Sequence, residues 1–203
     1  MSTLEKGKES DTQLEQNRGS LDIPTELAIL PLRNVVVYPL TVLPLTVGQP
    51  RSIRLIDEAV LEKRIIGLVA SKDAEIIEPG PDDIYQVGTA AVVHRLLKAP
   101  DGTLRIIVQG MERIRVQEYT QTEPYLKARV EVIPDVVEET VEVEALMRNI
   151  VELFRRLVSL VPHLPEELMM TVLNVEDARQ LVYLIATSIR IDVAEAQEIL
   201  TID

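Results

Sequence analysis

The sequence predicts an α+β protein: a small, strongly curved β-domain holding one helix, followed by a C-terminal α-helical bundle. Two observations predict it. Over residues 26–134 apolar residues recur mostly with the two-residue period of strands, punctuated by Pro and Gly turns, whereas from residue 135 onward they recur at helical spacing. With 46% hydrophobic residues, 203 residues can bury one large core or two small ones. The division read from this change of period is a disordered N-terminal tail over 1–25, a β-rich domain over 26–134, and a helical subdomain over 135–203 that leads to a missing C-terminal part.

The elements follow in order. The tail is polar, aperiodic and without an apolar stretch to join a core. Leu27 to Leu32 reads as a first strand and Val42 to Val47 as a second. Between them Pro31, Pro39 and Pro44 interrupt a run of β-branched and aliphatic residues, because proline cannot donate to a ladder and restricts the residue before it. Pro50 opens a helix from Arg51 to about Lys63, with Ile53, Ile56, Ala59 and Val60 on one stripe. Ile65 to Ala70 is a continuous apolar run, the signature of a strand covered on both faces. Val87 to Leu97 and Leu104 to Gln109 pair across Ala99-Pro100-Asp101-Gly102, where proline pre-sets φ and glycine accepts a positive one. Gly110 interrupts the pattern, and Ile114, Val116 and Tyr119, then Leu126, Ala128, Val130 and Val132, alternate again.

Past Pro134 the period lengthens. Val143, Leu146, Met147, Ile150, Phe154, Leu157 and Val161 mark a helix of about five turns, supported outside by Glu144/Arg148 and Glu152/Arg156. Pro162 ends it, and Pro165 starts a second helix through Leu173. Asn174 is the expected cap of a third, carrying Ala178, Leu181, Val182, Ile185 and Ile189, and Asp192 with Glu195 marks the start of a fourth. That fourth helix meets no Gly or Pro stop, as in a chain that continues.

The net charge of −12 divides into −3 over residues 1–26, −1 over 27–135 and −8 over 136–203. Such a distribution lacks the basic face that phosphate neutralisation requires, so nucleic acid is a poor partner. The absence of cysteine excludes a disulfide framework and thiolate metal sites, and no apolar run approaches the roughly 18 residues of a membrane span. These features point to a cytoplasmic protein without a membrane partner.

Catalytic chemistry finds little material. His94 in a strand and His163 beside two prolines are too few for a His-based metal site or a serine triad. Ser71 and Lys72 are adjacent, which on a strand sends them to opposite faces. No GxxxxGK[S/T] or GxGxxG pattern occurs, so no catalytic, cofactor or metal residue is assigned. What remains is binding through apolar surface. The candidates are Tyr38, Pro39, Leu40 and Leu43 in and after the proline-broken loop, with Leu97, Pro100 and Met111 beside nearby turns.

Four motifs then carry a resemblance. Leu30-Pro31-Leu32-Arg33-Asn34-Val35-Val36-Val37-Tyr38-Pro39 with Leu43-Pro44-Leu45 and Gly48-Gln49-Pro50, then Tyr85-Gln86-Val87-Gly88-Thr89-Ala90, Pro100-Asp101-Gly102-Thr103 and Gln109-Gly110-Met111-Glu112-Arg113-Ile114, resemble the N-terminal substrate-recognition domain of the Lon protease family. The resemblance implies a PUA-like β-fold followed by helices. It also implies a non-catalytic module of a hexameric, ATP-dependent serine protease of protein quality control and stress response. ATP, magnesium and the Ser-Lys peptidase would belong to ATPase-protease modules elsewhere in the full-length chain. Its partners would be unfolded or damaged proteins, bound by their exposed apolar segments; the alternative is a module that chiefly packs subunits together. One position departs from the pattern. The family usually has glycine after the aromatic-proline pair, where Leu40 stands here, which makes the loop more apolar and favours exposure of Tyr38 and Leu40.

Overall fold

The computed structural model describes residues 23–161 and 166–202. Residues 1–22 of the tail expected over 1–25, the helix stop at Pro162, the helix start at Pro165 and the loop position of His163 lie outside them. Six strands, β1 (Glu26–Leu32), β2 (Val42–Val47), β3 (Ile65–Ala70), β4 (Val87–Lys98), β5 (Leu104–Gln121) and β6 (Lys127–Ile133), form one mixed sheet in the order β2-β5-β4-β3-β1-β6. β1 and β3 run parallel, and the other pairings are antiparallel.

The sheet closes because β5 is long enough to serve two neighbours. Its first part pairs with β2 from Leu104 to Gln109, and its second part pairs with β6 from Arg113 to Gln121. β6 also reaches β1, so β5, β4, β3, β1 and β6 make a closed barrel onto which β2 is appended. Gly110 therefore does not end a strand, contrary to the sequence reading. The ladder skips Met111 instead, passing from Ala91 opposite Gly110 to Ala90 opposite Glu112, and a second irregularity on β4 skips His94. Such bulges bend a strand and raise its twist, which lets one strand change partners without breaking.

Helix α1 (Pro50–Leu61) starts with proline in its first turn and buries Leu55, Ile56 and Ala59 against Leu30, Leu68, Val93, Leu104, Ile106 and Val108. Each fully buried Leu or Ile contributes about 1.5–3 kcal/mol. On the barrel's other side Leu27, Ile29, Val69, Ile84, Ile114, Leu126 and Ala128 form a second cluster, which Ile23 joins. All six residues of β3 are buried, as its unbroken apolar run predicts.

Four more helices follow: α2 (Val141–Leu160), α3 (Glu166–Leu173), α4 (Ala178–Ser188) and α5 (Val193–Thr201). Phe154, Val172 and Leu181 centre the packing of α2, α3 and α4. Thr140 caps α2 and Asp192 caps α5, accepting from the Glu195 amide at 2.8 Å. The cap of α4 is Asp177 rather than Asn174, whose side chain instead donates to the Met170 carbonyl at the end of α3. Asp177 stands three positions further on, and its short carboxylate reaches the Gln180 amide, at 3.0 Å. On α2 the Arg148–Glu144 pair forms, but Glu152 takes Arg155 rather than Arg156.

Candidate functional site

The segment between β1 and β2 begins from a backbone problem. Pro39 fixes its own φ, and Leu40 adopts φ +62, the left-handed region where a non-glycine residue is strained. The tight turn is kept although leucine and not glycine stands there. It is held by the Leu40 amide donating to the Gly110 carbonyl at 3.1 Å and the Gly110 amide donating to the Thr41 carbonyl at 2.9 Å. The Thr41 hydroxyl adds a 2.6 Å bond to the Tyr38 carbonyl, and buried Thr89 donates to the Val37 carbonyl at 2.6 Å. A Cβ on Gly110 would fall 2.2 Å from the Tyr38 carbonyl oxygen, so the loop lies on the strand only because that position is glycine.

This weld decides what the loop displays. Tyr38 is not exposed, contrary to the expectation from sequence: it is 2% accessible, stacked on Tyr183 of α4 at 5.2 Å, with its hydroxyl donating to the Ala196 carbonyl of α5 at 2.9 Å. Burial pushes its pKa up to about 12, so the phenol stays a donor at neutral pH. Pro39 is buried too. Leu40 alone of that trio points outward, at 45% exposure.

β2 carries the surface on from Leu40. Alternation sends Leu43, Leu45 and Val47 inward against the α1 core, and Val42, Pro44 and Thr46 outward. Register sets the next rows: Val42 opposite Gln109, Pro44 opposite Ile107 and Thr46 opposite Arg105, with Ile107 opposite Arg95 and Arg105 opposite Leu97 across β5 and β4. The outer face of this three-stranded ribbon is thus apolar at Val42, Pro44, Ile107 and Leu97 and basic at Arg95 and Arg105. Val42 is 57% and Leu97 65% exposed. From Leu40 to the tip the strip spans roughly 20 Å at about 3.4 Å per strand residue. The tip is the predicted hairpin: Gly102 has φ +85, and Asp101 accepts from the Thr103 amide and hydroxyl, bonds that hold its carboxyl below the usual range.

Below the ribbon lies a groove of about 820 Å³ between the free edge of β2 (Pro44 to Val47), the end of β1 with the following loop (Leu30 to Val35), and Ala74, Glu75, Ile77 and Pro79. Because Gly110 bonds to Thr41, the backbone groups of Leu43, Leu45 and Val47 face β5 and those of Val42, Pro44 and Thr46 face outward. Proline at the middle of that outward set removes one donor from the edge.

The helices are fixed to the barrel by buried polar groups. Arg113 of β5 forms an ion pair with Asp135 at 2.5 Å and donates to the carbonyls of Leu200, at 3.2 Å, and Ile202, at 2.8 Å. Asp135 also accepts from the Tyr183 hydroxyl at 2.8 Å; burial and then this bond push the Tyr183 pKa up. Gln197 of α5 donates to the Val87 carbonyl at 2.9 Å. Beside this cluster Glu112 is raised, chiefly by burial and then by the Asp135 charge.

The Ser71 hydroxyl donates to the Asp73 carbonyl at 2.7 Å while Lys72 donates to the Asp82 carbonyl at 2.8 Å, so the two neighbours are engaged separately. Among the described residues no cluster of three His, Cys, Asp or Glu could hold a metal, and no helix is long and apolar enough to cross a membrane. The turn from β2 into α1 lacks the glycine-rich run and lysine of a phosphate-binding loop.

Of the sequence candidates, Leu40, Leu97 and Pro100 lie on exposed surface. Tyr38 and Pro39 are buried, Leu43 is half-buried on the inner face, and half-buried Met111 packs against the second barrel cluster. Val42, Pro44, Ile107, Arg95 and Arg105, which share the outer face with Leu40 and Leu97, are not among those candidates. Strict alternation along Val42 to Val47 was the available signal, but it does not by itself say which set faces inward.

Residues 26–203 match the family described as the ATP-dependent protease La (LON) substrate-binding domain. The chain is 48% identical over 183 residues to a Lon protease of Dictyoglomus thermophilum, covering 90% of this chain and 23% of that protein. It is 49% identical over 183 residues to Lon protease 1 of Herpetosiphon aurantiacus, covering 88% and 22%. It therefore spans less than a quarter of the length of these relatives. Among solved structures, the N-terminal domain of Mycobacterium avium complex Lon protease superposes with TM-score 0.69 at 19% identity, covering 88% of this chain and 91% of that one. A Lon N-terminal domain protein from Xanthomonas campestris gives 0.52 at 21% identity, covering 82% and 100%. At these identities the two structures speak to the fold.

Proposed function

This chain belongs to the family of Lon substrate-binding domains, and from that premise we propose that it is a non-catalytic module that holds exposed apolar segments of unfolded or damaged proteins. The outer face of the β2-β5-β4 ribbon is the contact surface, and ATPase-protease modules of the same longer chain, using ATP and magnesium, perform unfolding and cleavage in the cytoplasm. The observation that carries this reading is the outward strip of Leu40, Val42, Pro44, Ile107 and Leu97, beside a loop that buries Val36, Val37, Tyr38 and Pro39. A shallow, mixed strip suits many sequences and binds each weakly, so copies in a hexamer would add avidity.

Chemical-shift mapping with a reduced, carboxymethylated polypeptide as the unfolded probe tests it. Amide resonances of Leu40, Val42, Ile107 and Leu97 are expected to move, and Val42→Ser with Leu97→Ser to weaken binding several-fold while leaving the melting temperature within about 2 °C. Shifts confined to α2–α5 would overturn the assignment. The assembly role stays as a second reading because one helix carries an uncovered row of leucines.

A further inference from the structure

We propose that an unfolded segment adds itself as a strand to the free edge of β2, in the groove below the ribbon, and is held there by its backbone more than by its sequence. The inference rests on the reading that this chain holds unfolded segments, and it names the mode. β2 has a strand on one side only, β5. Along its other side the outward set presents the N–H and carbonyl of Val42, the carbonyl of Pro44, and the N–H and carbonyl of Thr46. Among the described residues no backbone group bonds to any of these. An extended chain repeats a donor and an acceptor on one side every two residues, about 7 Å, which is the spacing of this row.

The surroundings select a single strand over a second copy of the sheet. Opposite Pro44 and Thr46 the groove of about 820 Å³ is walled by Leu30 to Val35 and by Ala74, Glu75, Ile77 and Pro79. The Gln49 side chain, just past β2, donates to the Ile77 carbonyl and ties that wall to the strand's end. A second β2 would have to bring its own ribbon and wall into the same space. Two-fold pairing centred on Pro44 would also set two carbonyls face to face with no donor between them, whereas a foreign strand leaves only one acceptor unmet. The side chains of the added strand alternate. One set lies beside Val42, Pro44 and Thr46, and the other turns in toward half-buried Val35 and Leu45 and exposed Ile77. The ligand is thus an extended stretch of about five residues, apolar at every second position and without proline where it must donate.

The probe is a short, capped, fluorescein-labelled peptide alternating valine with threonine, titrated into the 203-residue chain and followed by anisotropy. N-methylating the amides of one alternate set is expected to weaken binding at least about tenfold and those of the other set less than about twofold, because only one set donates to β2. Thr46→Pro removes an outward N–H that makes no ladder bond to β5, and is expected to weaken binding several-fold with the circular dichroism spectrum unchanged. Equal affinity for the two methylated peptides, whether both bind or both fail, would overturn the proposal. If both bind alike and Leu97→Ser still weakens the reduced, carboxymethylated polypeptide, the edge falls and the outer-face reading stands. If neither the unmodified peptide nor the polypeptide binds, both fall.

Discussion

Replacing Gly110 by alanine tests the link between the β5 strand and the displayed loop. The new Cβ would sit 2.2 Å from the Tyr38 carbonyl oxygen, 3.0 Å from its carbonyl carbon and 3.2 Å from the Pro39 Cα. All three are backbone atoms, so no rotamer change relieves the overlap. An ordinary contact requires the loop to retreat by about 1 Å, which stretches both bonds between Gly110 and the Leu40–Thr41 backbone. Two weakened hydrogen bonds at about 1 kcal/mol each, with partial loss of packing where Tyr38 enters the helices, amount to about 2–4 kcal/mol. That is a large fraction of the about 5–15 kcal/mol that holds a domain together. Urea melts followed by circular dichroism measure it, and Gly102→Ala is the control. Gly102 has φ +85 but nothing within 4 Å of its added Cβ, so its cost is conformational only, about 1 kcal/mol. If Gly110→Ala were no more destabilising than Gly102→Ala, the close approach of loop and strand would not be a structural constraint, and the reasoning would fail.

Other outcomes follow from the same structure. Arg113→Met leaves Asp135 buried without its cation and should cost about 3–5 kcal/mol in a urea melt; adding Asp135→Leu should recover much of that, as a buried pair replaced whole costs less than one broken. Glu112 has a raised folded pKa, so the native state binds more protons than the unfolded chain between the ordinary glutamate range and that raised value. Stability therefore falls as pH rises through that window, and Glu112→Gln should raise the melting temperature at pH 7 but not at a pH below the ordinary range. Pro44→Thr returns a donor to the outward edge of β2 and should increase aggregation, read by light scattering at raised concentration, with little change in the monomer's melting temperature.

The strands and helices were legible because their residues keep a period over several turns or pleats. Ile65 to Ala70, the Pro100–Gly102 hairpin and the Asp192 cap are set by neighbours in sequence. Gly110 was read as a break because a strand interior disfavours glycine, yet its reason is a backbone more than seventy residues away. Asn174 and Asp177 are both good caps, and only the path of the chain after α3 separates them. At the candidate site the same limit bites harder. An aromatic-proline pair looks alike whether it faces a partner or a second layer, and the layer that covers Tyr38 is supplied by Tyr183 and Ala196, about 150 residues on. Val42 against Leu43 was undecidable for a related reason, since alternation divides a strand into two sets and only the position of α1 says which set is inside.

That burial also leaves Leu40 and Val42 outward beside it. Tyr38 ties the loop to α4 and α5, and its neighbours Leu40 and Val42 are consequently held where bending toward the core is blocked by the Gly110 bonds on one side and the Tyr183 stack on the other. Arg113, two residues beyond Met111 on the same strand, grips the carbonyls at the end of α5. A segment held at the ribbon as proposed would load β5, and Arg113 and Tyr38 are the hydrogen-bonded links from that strand and its loop to α5. If that path is real, hydrogen exchange of the Leu200 and Ile202 amides should slow when the unfolded probe binds at the ribbon. With Arg113→Met the probe should still bind, but that distant protection should be lost.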